Sequence, residues 1–96
     1  MITKEEILNK SDQIREIAAR HGALNVRIFG SVARGESTPD SDLDLLIEPG
    51  VNLSSWFPAG LILDLEQLLG CKVEVVTERA LNPLFRNQVL SEAIQL

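Results

Sequence analysis

Residues 30–44 read GSVARGESTPDSDLD, and this stretch decides how the rest of the chain is interpreted. It begins with Gly30-Ser31 and, after ten intervening residues, ends with Asp42-Leu43-Asp44. The segment from Leu43 to Glu48 predicts a strand that begins directly after Asp42, and Asp42 and Asp44 leave the same face because side chains alternate. Their Cα atoms are then about 6–7 Å apart, which is two strand rises.

Two carboxylates at this spacing can converge on a pair of metal ions, the arrangement used for phosphoryl and nucleotidyl transfer. A ligand set made only of oxygen atoms favours Mg²⁺ or Mn²⁺ over Zn²⁺. The alternative is that Asp42 and Asp44 form the solvent face of an edge strand. Because aspartate is disfavoured in strands and these two residues alternate with apolar ones, we favour the metal-binding interpretation.

Gly30-Ser31 directly follows another predicted strand, from Asn25 to Phe29, and can present backbone N–H groups to a bound phosphate. A glycine-serine pair alone is typical of any turn. Placed ten residues before two strand aspartates, it predicts one pocket for a metal–nucleotide complex. Arg34 could reach a phosphate as a planar cation, or it could pair with Glu36 on the surface.

A third carboxylate is predicted on the segment from Lys72 to Thr77, which also has the composition of a strand. Glu74 points opposite to its neighbours Val73 and Val75. If this strand lies beside the one that carries the two aspartates, Glu74 could hold a metal ion or take a proton from an attacking hydroxyl. A glutamate that faces solvent is an equally good interpretation of the sequence.

The remaining patterns predict an α+β fold, a small mixed sheet of about three strands with helices packed on it. Helices are predicted to begin near Lys4 and, with Asn82 as N-cap, at Pro83, and the latter should run to the end of the chain. Helix ends are predicted at Gly22 and at Gly70.

The composition limits the classes of function. With 96 residues and a formal net charge of −5, we expect one domain spanning residues 1–96, and the acidity argues against direct nucleic-acid binding. The longest uncharged stretch, Pro49 to Leu63, is broken by proline and glycine and predicts no membrane span. The N-terminal segment carries acidic residues where a signal peptide would carry positive charge, and this favours a cytoplasmic location.

Weaker candidates receive structural interpretations. His21 is expected to cap a helix, and the single Cys71, which cannot form an intrachain disulfide, is expected to fill space in the core. Trp56 and Phe57 are expected to pack within their loop, with an exposed apolar patch as the alternative.

The combined pattern resembles the signature of the DNA polymerase β-type nucleotidyltransferase superfamily. The likeness rests on Gly30-Ser31, on Asp42-Leu43-Asp44 and on the spacing between them. The sequence from Phe29 to Glu36 is similar to that of the smallest members, the minimal nucleotidyltransferases of the MNT or MntA type. The likeness covers nearly the whole chain, including the strand around Glu74 and the closing helix.

This resemblance implies both an activity and a partner. Similar members are antitoxins paired with a HEPN-family toxin, a ribonuclease of the HepT type, and they silence it by transferring AMP from ATP to a toxin tyrosine. Gly30 and Ser31 would hold the triphosphate, and Asp42 and Asp44 would bind two Mg²⁺ ions. Glu74 falls where the family places its third carboxylate, a position often occupied by aspartate.

Two other functions remain open from the sequence. The chain could be a non-catalytic antitoxin that masks its toxin by binding, or an enzyme that nucleotidylates a small molecule such as an antibiotic. The chain contains no tyrosine, so it cannot modify itself on that residue. A tyrosine acceptor must therefore come from a partner, which we expect to join it in a hetero-oligomeric complex.

Overall fold

A computed structural model describes residues 1–96. The helices and strands follow in the order α1 (Lys4–Asn9), α2 (Ser11–Arg20), β1 (Ala23–Phe29), α3 (Gly30–Ala33), β2 (Leu43–Pro49), α4 (Ala59–Leu69), β3 (Val73–Thr77), a 3₁₀ turn (Glu78–Ala80), α5 (Arg86–Glu92) and β4 (Ile94–Gln95). The predicted α+β architecture is confirmed, with four strands in place of about three.

The sheet is mixed, with the strand order β3-β2-β1-β4. β1 runs antiparallel to both of its neighbours, whereas β2 and β3 are parallel. Parallel neighbours need a crossover connection, and α4 supplies it between β2 and β3. This crossover brings the strand that carries Glu74 next to the strand that carries Asp44.

The hydrophobic core lies on one face of this sheet. Leu43, Leu45 and Ile47 of β2 alternate into it and are essentially inaccessible to solvent. They pack with Ile14 of α2 and Leu61 of α4 in one cluster of buried side chains. Each such aliphatic side chain contributes about 1.5–3 kcal/mol when buried. The opposite face of β2 is not purely polar, because it also carries Leu46, which is fully buried but lies outside this cluster.

The first predicted helix is interrupted. As expected, the Thr3 side chain accepts a hydrogen bond from the Glu6 N–H and begins α1, and Gly22 ends α2 with a φ of +85°. At Lys10 the backbone leaves helical geometry, with φ −103° and ψ 14°, and its N–H is shared between the Glu6 and Ile7 carbonyls. The apolar spacing continues across this break, which is why the sequence predicted one helix.

The prediction for the last helix is wrong at both ends. The Asn82 side chain accepts a hydrogen bond from the Leu84 N–H, but this bond closes a turn, and α5 begins only at Arg86. After Glu92 the chain extends, and Ile94–Gln95 pairs with β1 as a fourth strand. This pairing satisfies backbone groups at the edge of β1, which would stay unpaired if the helix continued.

The two aromatic residues of the loop before α4 differ in their exposure to solvent. Phe57 packs against the core as expected, whereas Trp56 is 89% exposed, so the packing prediction is wrong for Trp56. No helix of the chain has the length and apolar character needed to cross a bilayer.

Candidate active site

The candidate site lies on the sheet face opposite the core, where β1 ends and β2 and β3 begin. Phe29 pairs with Asp44, and Asp44 pairs in turn with Glu74 on the neighbouring strand. Directly paired residues on adjacent strands project from the same face. The structure therefore meets the condition set for Glu74 above, since its strand does lie beside the one that carries Asp44.

Gly30 lets the chain turn tightly against Asp44. Its φ is +76°, a conformation that L side chains rarely adopt. A Cβ atom at this position would also collide with the Asp44 carboxylate. Glycine is thus required here for two reasons, and it lets the backbone of residue 30 approach the Asp44 carboxylate closely.

The acidic residues of the site repel one another. Burial first, and then the negative charges of Glu74 and Asp42, raise the pKa of Asp44 from 3.8 to about 6, while Arg34 acts in the opposite direction. Glu74 and Asp42 are exposed, and Asp44 is partly buried. A bound cation would relieve this repulsion, because it stabilises the ionised form of Asp44.

The donor set fits a hard divalent cation, although the carboxylates are not gathered into a complete cage. No group of three or more His, Cys, Asp or Glu side chains is arranged to hold a metal ion. Asp44 and Glu74 are adjacent through their strand pairing, and Asp42 lies two residues before Asp44. Crowded oxygen ligands of this kind suit Mg²⁺ or Mn²⁺, which complete their coordination with water or substrate oxygens.

Arg34 lies beside Gly30 and is held by two carboxylates. Its Nε donates to Glu36 at 2.8 Å, and its Nη1 donates to both oxygens of Glu92, at 3.0 and 3.2 Å. Hydrogen bonds to Glu36 and then Glu92 raise the pKa of the guanidinium. The surface pair with Glu36 is therefore formed, and contact between Arg34 and a phosphate stays a prediction.

The site is an open surface and not a closed cavity. A groove of about 470 Å³ lies to one side, between the start of α1, residues 39–42 and the turn from α4 to β3. Asp42 lines it, whereas Gly30, Asp44 and Glu74 do not. A ligand on the acidic face would therefore stay accessible to a second macromolecule.

Comparison with known proteins matches residues 11–96 to the family model described as a nucleotidyltransferase domain. This chain belongs to that family. The nucleotidyltransferase assignment covers every element from α2 to β4, and so includes both motifs of the candidate site. The superfamily identified from the sequence is confirmed, and the chain is a nucleotidyltransferase.

Individual relatives show which members of the family this chain is similar to. The nucleotidyltransferase is 34% identical over 95 residues to protein adenylyltransferase MntA of Thermococcus cleftensis, which covers 98% of this chain and 96% of the relative. It is 37% identical over 84 residues to a protein of Methanocaldococcus jannaschii provisionally named a protein adenylyltransferase, covering 88% of this chain and 90% of that one.

Solved structures share the fold. One, provisionally named a minimal nucleotidyltransferase, has a TM-score of 0.84 at 47% identity and covers 99% of this chain and 97% of its own. Another contains a tri-AMPylated HEPN toxin of Shewanella oneidensis with its MNT antitoxin, with a TM-score of 0.63, 19% identity, and coverage of 97% and 71%. At that identity, the second shows the fold alone.

One residue at this nucleotidyltransferase site, Glu92, was not identified from the sequence. Glu92, at the end of α5, accepts a hydrogen bond from the Gly30 N–H at 2.6 Å and lies 62 residues away in sequence. The available signal was that Glu92 is the only acidic residue after Glu78, in a segment rich in apolar side chains. Its partner could not be read from the sequence.

The weaker candidates lie outside the site. His21 is the C-cap of α2, as predicted, and its ring also contacts Ser54 and Asp64, each at 2.7 Å, which ties the loop and α4 to the end of α2. Cys71 is partly buried against the core, as predicted, and burial raises the pKa of its thiol.

Proposed function

We propose that this chain is a protein adenylyltransferase that transfers AMP from ATP to a tyrosine of a HEPN-family toxin and so acts as its antitoxin. The observation that carries the proposal is the juxtaposition of Gly30 with Asp44 and Glu74 at one end of the sheet. The names of the similar proteins support the protein-directed activity. We also propose that residues 1–96 form a single domain, since one cluster of buried side chains includes α1, α2, α4 and three strands.

The residues of the acidic face would divide the work. The N–H groups at Gly30 and Ser31 and the Ser31 hydroxyl would bind the triphosphate, with Arg34 as an additional cation. Asp42 and Asp44, with Glu74 beside them, would hold Mg²⁺, which when bound stabilises negative charge on the phosphate oxygens. The strand pairing of Asp44 and Glu74 supports this division.

The reaction itself is a substitution at phosphorus. The phenol oxygen of the acceptor tyrosine forms a bond to the α-phosphorus of ATP, the bond to the bridging oxygen breaks, and diphosphate leaves. The phenol proton must be lost, and Glu74, an exposed carboxylate on the same face, could accept it in place of holding a metal ion. The openness of the face suits an acceptor that arrives as part of a protein.

The test is the intact mass of the partner toxin after incubation with this chain, ATP and Mg²⁺. We expect a gain of one or more AMP units, and no gain with the Asp42→Asn/Asp44→Asn double variant. Asp40→Asn is the matched control, because Asp40 is an exposed carboxylate of the preceding loop. An unmodified toxin that is still bound and inhibited would show masking without catalysis, and AMP transfer to a small molecule in the absence of the toxin would show the other alternative.

A further inference from the structure

The phosphate-binding groups assigned above are already occupied by an anion of the chain itself. One oxygen of Glu92 accepts from the Gly30 N–H at 2.6 Å, and both oxygens accept from Arg34 Nη1. The Glu92 side chain is only 14% exposed, so this carboxylate is largely enclosed. A carboxylate held between a backbone N–H and a guanidinium uses the donors that a phosphate oxygen would use.

Two of the three guanidinium nitrogens of Arg34 are engaged in this arrangement. Glu36 bonds its Nε and Glu92 bonds its Nη1. A triphosphate approaching the Gly30 N–H would therefore meet the negative charge of Glu92, which already occupies that donor. Like charges at such distances repel strongly where water is partly excluded.

The segment that carries Glu92 is lightly attached. No residue of α5 is buried, and β4 is only two residues long. Besides Glu92, the chain end is held by the pairing of β4 with β1, by hydrogen bonds from Gln95 and Leu96 to the Val26 carbonyl, and by the packing of Ile94 and Leu96 against the core. Elements with few buried apolar contacts open at low free-energy cost, so Glu92 can leave the site without unfolding the core.

We propose that Glu92 is an internal competitor of the nucleotide: its carboxylate occupies the Gly30 N–H and Arg34, and ATP must displace it, so that Glu92 sets the affinity for ATP. This inference rests on the proposed function, because it takes Gly30 and Arg34 as the phosphate-binding groups. A purely structural role for Glu92, which would only tie the chain end to the sheet, makes the opposite prediction for its removal.

The test is the dissociation constant of ATP with Mg²⁺, measured by calorimetry on the full chain and on Glu92→Gln. Glutamine keeps the size and an acceptor oxygen but removes the charge. We expect ATP to bind about tenfold more tightly to the variant, while its melting temperature falls because charge-assisted hydrogen bonds are weakened. Loss of structure cannot tighten ligand binding, so the two opposite changes separate competition from a structural role.

Glu48→Gln is the matched control. It makes the same change of charge and shape at an exposed glutamate that bonds only the Asn25 side chain. Its affinity for ATP should equal that of the unmodified chain. Unchanged or weaker binding by Glu92→Gln, or equal tightening by Glu48→Gln, would overturn the inference.

A second measurement uses the unmodified chain. Amide hydrogen exchange within residues 86–95 should accelerate when ATP and Mg²⁺ bind, because Glu92 is released; slower or unchanged exchange would contradict the proposal.

Failure of the proposed function can be distinguished from failure of this inference. Tight ATP binding by Glu92→Gln without transfer of AMP to the toxin would leave Glu92 as a competitor and remove the catalytic assignment, whereas absence of ATP binding in both proteins would overturn both.

Discussion

The two faces of β2 carry different residues, although both include fully buried side chains. On one face Leu43, Leu45 and Ile47 are essentially inaccessible to solvent and form the centre of the core. On the other, Asp44 pairs with Glu74 and its pKa is raised. A period of two residues thus places stability and chemistry a few ångströms apart while keeping them on opposite sides of one backbone. Substitutions on the two faces should therefore have separable effects.

The largest expected effect is on catalysis, from Asp44→Asn. Asparagine has the shape of aspartate but not the charge that holds a cation, so we expect the rate of AMP transfer to fall by about 10³-fold or more. The measurement is a time course of toxin modification by intact mass. Asp40→Asn should leave the rate unchanged. A rate for Asp44→Asn within tenfold of the unmodified chain would contradict the assignment of this face.

The largest effect on stability is expected from the other face. Leu45→Ala removes a side chain that is 0% exposed and should lower the free energy of unfolding by about 2–5 kcal/mol. Denaturant titration measures it. Leu63→Ala is the control, because Leu63 lies on α4 and is 65% exposed, so the loss should stay below about 0.5 kcal/mol. Equal losses would mean that Leu63 is covered in solution.

How much of this contrast the sequence predicts depends on the distance over which each contact acts. The alternation from Asp42 to Ile47 is local, so the face of each side chain could be predicted. The adjacency of Asp44 and Glu74 could be stated only as a condition, because it depends on which strands become neighbours. The parallel crossover through α4 decided that.

Other features left no readable pattern. β4 has two residues, too few for any periodicity, and its partner β1 lies more than sixty residues earlier. Glu92 could not be connected to Gly30 for the same reason. The break at Lys10 was hidden because apolar spacing continues through it. In each case a long-range contact or a local change of the backbone, which the sequence pattern does not show, decided the structure.

Two glycines with nearly equal backbone conformation sharpen the comparison further. Gly30 and Gly35 have φ of +76° and +74°, but a Cβ at Gly30 would meet the Asp44 carboxylate, whereas a Cβ at Gly35 would meet nothing within 4 Å. Each substitution to alanine should therefore cost about 1–2 kcal/mol of unfolding free energy from backbone strain.

Only Gly30→Ala should also reduce AMP transfer, because it displaces the Asp44 carboxylate. Denaturant titration and the modification assay, run on both variants, check the two effects. If Gly35→Ala reduces transfer as much as Gly30→Ala, backbone strain and not the contact with Asp44 is responsible.

The smallest expected effect is a pH dependence with an unusual sign. Because the pKa of Asp44 is about 6 in the folded chain and 3.8 is its ordinary value, the folded state binds the proton more tightly than the unfolded state does. The stability that this group contributes is therefore fully present below about pH 4 and is lost as the pH rises through about 6. Most aspartates, whose folded pKa is lowered, behave in the opposite way.

The measurement is the difference in unfolding free energy between Asp44→Asn and the unmodified chain, in buffer with chelator, at pH 4 and pH 7.5. Because Asp44 is partly open to solvent, screening reduces the full effect, and we expect the advantage of the variant to grow by about 1 kcal/mol between these two pH values. Mg²⁺ added at pH 7.5 should reduce this advantage, since the cation favours the ionised carboxylate of the unmodified chain. A difference that stays constant with pH would mean that neither burial nor the neighbouring charges disfavour the ionised form of Asp44, and the contrast between the two faces of β2 would then rest on geometry alone.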